Sequence, residues 1–185
     1  MKAEKVKGLD PETPLADNAR RIVQTRLDEV HRFVPRALDP RRVEELHDMR
    51  IAAKRLRYVL EVTAHCFGPY ADTARKRTKE LQDVIGEIHD CDVLAPRVDA
   101  LLSELRSADA QAILQRAGGA DDLEPRLATR GPNATRYRGL QALAAWLQAR
   151  RALLHDRFLE LWSRWGRDAV KARLEYALEE HPAVS

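Results

Sequence analysis

The spacing of apolar residues along the chain predicts a series of amphipathic α-helices. At 100° per residue, one group in the segment 46–63 falls within an arc about 120° wide. It comprises Met49, Ala52, Ala53, Leu56, Val59, Leu60 and Thr63. After a break at Gly68-Pro69, a second helix carries its apolar side on Leu81, Val84, Ile85 and Ile88. We expect Gly68 to adopt the left-handed conformation that ends a helix, and so short a turn to make the two helices antiparallel neighbours.

The segment before these two helices predicts a polar tail and one further helix. Residues 1–13 are polar and are expected to be flexible. A helix from about 15 to 33 places the following residues on one side: Leu15, Ala19, Ile22, Val23, Leu27 and Val30. Pro35 is expected to break this helix. Asp39 is expected to cap the next helix, with Pro40 in its first turn, so that this helix runs from about Arg41 to His65.

After residue 90 the pattern remains helical, with one irregular interruption. Pro96 predicts a kink or a new helix start. The glycine- and proline-rich stretch 117–134 predicts a long loop, and a long helix follows from about Asn133. Its apolar stripe comprises Leu140, Leu143, Leu147, Leu154, Phe158, Leu161 and Trp165. A last helix over 167–180 has Val170, Leu174, Ala177 and Leu178 on its apolar side.

Composition supports an all-α antiparallel bundle of about five to six helices, formed by one domain over residues 14–181. Alanine, leucine, arginine and glutamate dominate the 185 residues, whereas glycine and aromatic residues are few. With neither a run of 18 apolar residues nor a signal-peptide pattern, we expect a cytoplasmic protein without a membrane span. Cys66 and Cys91 are expected to be reduced structural thiols. No cofactor or metal is predicted.

The polar faces of the two central helices are rich in basic residues. The first carries His47, Arg50, Lys54, Arg57, Tyr58 and Glu61; the second carries Arg75, Lys79, Gln82, Gly86 and Asp90. A solvated helix face usually alternates acids and bases, and like charges four residues apart are slightly destabilising. The glycine also costs a helix about 1 kcal/mol relative to alanine, but it permits close approach of a ligand or helix. Because the net charge of the chain is only +3, these local rows, not composition, indicate a surface that binds a polyanion.

The same residues resemble the CHAD family, the conserved histidine α-helical domain. The first motif is His47-xx-Arg50-xxx-Lys54-x-Leu56-Arg57-Tyr58-xx-Glu61, and the second is Lys79-xx-Gln82-xxx-Gly86-xx-His89-Asp90. The resemblance implies an all-α, non-catalytic protein that binds inorganic polyphosphate. The sequence leaves its role open between association with polyphosphate granules, phosphate handling and recruitment of a partner to either. It implies six ligand-facing residues: His47, Arg50, Lys54, Arg57, Arg75 and Lys79. The supporting residues would be Tyr58, Glu61, Gln82, His89 and Asp90, with Glu61 and Asp90 orienting the cations.

One departure from the family pattern bears on the site. A full family domain has two similar helical halves, each with its own motif, whereas this sequence has one copy, which looks like the second-half version. A channel lined from both halves therefore requires more than one such chain. Either the site is a one-sided basic groove, or two chains pair as a homodimer.

Other functions remain open at the level of sequence. A basic groove does not distinguish polyphosphate from a nucleic-acid backbone, since both are repeating anions. An acidic partner protein would fit the same face. Three His-Asp pairs begin at His47, His89 and His155 and suggest a metal-dependent phosphohydrolase. Neighbouring residues on a helix point about 100° apart, however, which argues against paired ligands.

Overall fold

The structure, a computed structural model, describes residues 2–180 and divides into two compact units. Among the described residues, the first unit comprises 2–89 together with 153–180, and the second comprises 90–152. The α-helices are α1 (Leu15–Ala37), α2 (Val43–Thr63), α3 (Tyr70–Ala117), α4 (Ala134–Arg167) and α5 (Val170–Glu179). Two short 3-10 helices, Ala64–Cys66 and Pro125–Arg130, complete the fold, and the described chain contains no strand. The prediction of an all-α bundle of five to six helices is confirmed.

The core of the first unit follows the predicted apolar stripes. On α2 the whole predicted set is buried except Val59, which is half-buried. Leu81, Val84, Ile85 and Ile88 of α3 are buried, as are all four predicted positions of α5. On α1, Leu15 is exposed and Ile22 is half-buried. Helix α1 packs against α2 and α5, which leaves the polar side of α2 available for other contacts.

Two helix boundaries between α1 and α2 differ from the sequence prediction. Pro35 lies inside α1, which continues to Ala37. A proline so close to a helix end removes only one of the last backbone hydrogen bonds. Asp39 does not cap α2, whose first residue is Val43. Its carboxylate instead accepts hydrogen bonds from the backbone and side chain of Arg41, which lowers the pKa of Asp39 to about 2. The segment is a turn closed by a local carboxylate.

Gly68 has a different role from the one predicted. Its φ is not positive, unlike that of Gly8, Gly118 and Gly119. The Gly68 backbone N–H donates to the Ala177 carbonyl of α5 at 3.1 Å, and a Cβ at position 68 would overlap the side chain of Glu180. The glycine therefore allows the joint between α2 and α3 to approach the end of α5, which the local sequence does not reveal.

The second unit is a hairpin formed by the last part of α3 and the first part of α4. Pro96 lies within α3 and does not begin a new helix. Gly118 and Gly119, with φ of 60° and 86°, follow the end of α3. Buried Asp109 accepts hydrogen bonds from the backbone and side chain of Asn133 and from the Tyr137 hydroxyl. The predicted irregular stretch thus contains one short 3-10 helix, and a buried carboxylate secures its far end.

The predicted stripe of α4 is buried at Leu147, Leu154, Phe158, Leu161 and Trp165, but not throughout. Leu143 is exposed and Leu140 is half-buried. Both belong to the two-helix hairpin, where each helix has a single neighbour and so buries a narrower face than it would in a bundle.

Three further expectations concern the whole chain. None of the helices described has the length and apolar character needed to cross a membrane. Cys66 and Cys91 are free thiols, half-buried and buried respectively. The assignment of residues 1–13 as a flexible tail and 14–181 as one domain stays a prediction; Met1 and residue 181, at its two limits, lie outside the described residues.

Candidate anion-binding face

The basic residues of α2 and α3 lie on two helices in direct antiparallel contact. Nδ1 of His47 lies 3.2 Å from Nδ1 of His89, and a Cβ built on Gly86 would lie 3.6 Å from Nε of Arg50. Moving forward along α2 therefore moves backward along α3, as predicted for helices joined by a short turn. Continued along both helices, this register brings Lys54 towards the level of Gln82. We call the surface formed by His47, Arg50, Lys54, Arg57, Arg75 and Lys79 the basic face.

The two motif histidines form a pair at one end of the basic face. Their ring centroids are 4.5 Å apart, and both rings are half-buried. A hydrogen bond between two Nδ1 atoms requires one to carry the proton and the other to accept it. The sequence places His47 and His89 in separate motifs and does not pair them. The repeated histidine, 42 residues further along the chain, was the available signal.

Arg50 presents a buried donor that the fold leaves unused. Its Nε atom is buried and has no hydrogen-bond partner among the described residues, although the guanidinium as a whole is only partly covered. Nε of Arg57 and Oε1 of Gln82 are likewise buried and without a hydrogen-bond partner among the described residues. Unpaired buried polar groups are rare in native proteins because each costs about 1–3 kcal/mol. The buried Nε atoms are closed to a ligand, but the partly exposed side chains of Arg50 and Arg57 keep positive charge at the α2–α3 surface that an anion could neutralise.

Tyr58 lies against the cations of α2 rather than in the core. The residue is 46% exposed, with the Arg57 guanidinium 4.6 Å and the Lys54 ammonium 5.6 Å from the ring centroid. Glu61 lies 3.9 Å from Arg57, consistent with the orienting role expected for it. Tyr58 thus holds two cations near one another through its ring face.

Both basic-face cations of α3 have a close acidic partner, whereas on α2 only Arg57 has one, at 3.9 Å from Glu61. Lys79 pairs with Asp83 at 2.6 Å, and Arg75 pairs with Asp72 at 2.8 Å. Lys76 and Arg75 hold the pKa of Asp72 below its usual value. Sequence reasoning missed these acids, although their spacing of three and four residues from the bases is typical of helix ion pairs. Within residues 2–180, by contrast, neither Arg50 nor Lys54 forms an ion pair.

The remaining candidates do not assemble into a metal site. His155 is buried and packs edge-on against Phe158, with ring centroids 5.8 Å apart. Asp90 is exposed and is the first residue of the second unit. Across the described part of the chain, no three or more histidine, cysteine, aspartate or glutamate side chains are grouped so as to hold a metal ion. The His-Asp pairs therefore gain no support as metal ligands from their placement.

Comparison with known families bears directly on this face. The model of the CHAD domain matches residues 2–99, more than half of the chain. The chain belongs to the CHAD family. The CHAD match includes α1, α2 and α3 as far as residue 99, and so covers every residue of the basic face and both motif histidines. No curated protein and no solved structure matches the chain.

Proposed function

We propose that this CHAD protein binds inorganic polyphosphate along the basic face and performs no chemistry of its own. The observation that carries the proposal is the state of Arg50. Its guanidinium has no acidic partner among residues 2–180, and its Nε is a buried donor without an acceptor. A phosphate group that contacts the partly exposed Arg50 side chain supplies the missing countercharge. CHAD membership supports the choice of ligand.

The spacing along α2 suits a chain of phosphates better than a single one. Arg50, Lys54 and Arg57 are separated by rises of about 6 and 4.5 Å along the helix axis. Arginine makes planar contacts with two oxygens, whereas lysine acts as a compact point charge. Repeating anionic groups would thus meet repeating cations of two kinds along one line.

The cations of α3 are expected to contribute less than those of α2. Lys79 must leave Asp83, and Arg75 must leave Asp72, before either contacts a phosphate fully. Such exposed pairs contribute only about 0–1 kcal/mol each, so an anion can displace them, but the freed carboxylates then repel it. We therefore rank Arg50 and Lys54 first, with Arg57 held by Tyr58 and Glu61 as a third contact.

A nucleic-acid backbone is the second candidate ligand, favoured by one observation. Tyr58 is nearly half exposed between two cations, and an exposed aromatic ring in a basic groove is a surface on which bases stack. One ring is a short platform, however, whereas single-strand binders use several.

The cytoplasm, in association with polyphosphate granules, is the setting we propose for the CHAD protein.

The test is a titration with long-chain polyphosphate at two salt concentrations, with duplex and single-stranded DNA as competitors. Salt-dependent binding that neither DNA displaces is expected. Displacement by single-stranded DNA alone would instead favour base stacking on Tyr58. Equal displacement by both DNA forms would reduce the site to a general polyanion groove. An absence of binding at low salt would refute the proposal.

A further inference from the structure

The hairpin of the second unit carries a row of exposed apolar side chains that its own fold does not cover. Leu94 and Leu101 on α3 are 45% and 42% exposed, and Leu143 and Trp146 on α4 are 41% and 55% exposed. Isolated exposed leucines are common on protein surfaces, but contiguous patches indicate contact sites. Whether these four form one patch depends on their positions around the two helices.

The buried residues where α3 and α4 meet form the seam of the hairpin. The four exposed side chains occupy equivalent positions relative to this seam. Leu94 and Leu143 each precede a buried residue by four positions, namely Val98 and Leu147. Leu101 and Trp146 each immediately precede a buried leucine. Two antiparallel right-handed helices rotate in opposite senses when viewed from one end, so equal offsets from the seam point to the same side. All four side chains therefore lie on one face of the hairpin.

The register of the hairpin places them at similar heights. Asp92 pairs with Arg151 near one end, and Asp109 binds the Tyr137 hydroxyl near the other. Between these two contacts, Leu101 lies at about the same height along the hairpin as Leu143. Leu94 lies within about two helical turns of both. The row is flanked by the exposed small residues Ala108, Gly139 and Ala142, which would let a neighbouring helix approach closely.

The hairpin has little core of its own to compensate for this exposure. Its buried apolar side chains are Cys91, Val98, Leu102 and Leu147. A helix whose apolar positions extend round one side of its buried seam is typical of a bundle with more than two helices. The face thus has the residue pattern of a bundle interior. The hairpin provides two helices of such a bundle.

We propose that this face packs against the same face of a second copy of the chain, forming a two-fold four-helix bundle. Charge is compatible with this occupant. Apart from the Asp92–Arg151 pair and buried Asp109, the α3 segment 90–117 has three acidic and three basic residues, and the α4 segment 134–152 has three basic residues and no acidic one. A two-fold axis parallel to the helices sets α3 of each copy against α4 of the other, so the two basic α4 segments lie diagonally apart and each meets the segment that carries acidic residues.

The size of the face also suits a stable dimer. The two segments are about 28 to 42 Å long at 1.5 Å per residue, and two adjacent helices are about 20 Å wide. A face on the order of 700 Å² is close to the roughly 800 Å² that each partner buries in a standard specific interface. This inference does not depend on which anion the basic face binds, because it uses other residues.

The test is the mass in solution of the full chain and of charged variants, measured by light scattering and sedimentation at tens of micromolar. The intact protein is expected at twice the 21.1 kDa of one chain. Leu101→Glu and Trp146→Glu, which place carboxylates within the face, are expected to shift the mass to a single chain. Leu114→Glu is the matched control. Leu114 is 62% exposed on the same helix but lies about 140° away round its axis, so this variant should remain a dimer.

Each other outcome would overturn the proposal. A monomeric mass for the intact protein would remove the second copy as the occupant. Mass that keeps growing with concentration would show open association instead of a closed two-fold pair. Dissociation by Leu114→Glu as well would show a general effect of charge rather than loss of this face. Circular dichroism of each variant verifies that its helices are retained, so that a mass change cannot result from unfolding.

Discussion

Replacing Arg50 by alanine separates a binding role from a structural one. A partly buried arginine that stabilises the fold should lower the free energy of unfolding when it is removed. Arg50 instead keeps a buried Nε donor unpaired and has no acidic partner within residues 2–180. An unpaired buried donor costs about 1–3 kcal/mol. We therefore expect Arg50→Ala to leave the free energy of unfolding unchanged or to increase it, because loss of this donor offsets loss of the side-chain packing.

Binding should change in the opposite direction. A hydrogen bond to a charged group contributes about 1.5–3 kcal/mol, so loss of the contact should weaken polyphosphate binding by about 10- to 100-fold. For a flexible polyanion, each neutralised phosphate adds about 0.7 to the slope of log K against log salt. Arg50→Ala should flatten that slope by about this amount, and Lys54→Ala should do the same with a somewhat smaller loss of affinity.

The assay is a polyphosphate titration at four salt concentrations, combined with thermal unfolding of each variant. Arg20→Ala is the matched control, since it also removes one positive charge but from an arginine paired with Glu179 on α5. Lys79→Ala should fall between the control and Arg50→Ala, because the Lys79 ammonium already pairs with Asp83. If Arg50→Ala bound as tightly as the control while melting at a lower temperature, Arg50 would be a structural residue and the site assignment would fail.

Three further predictions concern the fold around this face. Gly86→Ala should stabilise the protein by about 0.5–1 kcal/mol, since alanine is the better helix former and its Cβ would make only an ordinary contact; a lower melting temperature would contradict this. Gly68→Ala should destabilise through overlap with Glu180, and adding Glu180→Ala should restore most of the loss in a double-mutant cycle. Hydrogen bonds from Tyr137 and Asn133 hold the pKa of Asp109 below its usual value despite its burial. Asp109 therefore contributes stability above about pH 4 that is lost on further acidification, and Asp109→Asn should flatten this dependence in acid-unfolding curves.

The sequence of the basic face indicates an anionic ligand. It does not show which of the six predicted residues contact that ligand most strongly. The residue pattern places all six predicted side chains on two polar helix faces, and the structure places those faces on adjacent antiparallel helices. The acids that pair with Lys79 and Arg75 stand at ordinary helix spacing in the sequence. The ranking of the basic residues as anion contacts depends on which of them lack an acidic partner. Only the full set of contacts in the structure shows this.

Pro96 and Pro35 show a limit of local signals. Pro35 predicts a helix end and Pro96 predicts a kink or a new helix start, yet α1 continues past Pro35 and no new helix begins at Pro96. A proline in a helix removes one hydrogen bond and is tolerated where packing along the rest of the helix offsets that loss. Packing along α3 offsets the bond lost at Pro96, whereas Pro35 lies so near the end of α1 that little is lost there.

The sequence by itself determined the all-α class, the apolar faces of α2 and α5, and the resemblance of the motif region to the CHAD family. These features depend on a 3.6-residue period and on residues close in the chain. Only the tertiary structure decided three other features. It paired His47 with His89, it placed Gly68 against the end of α5, and it left Leu143 exposed in the hairpin. Each depends on which segments, distant in sequence, come into contact. That choice is made by the packing of the whole chain, because a helix pattern specifies which face is apolar but not what covers it.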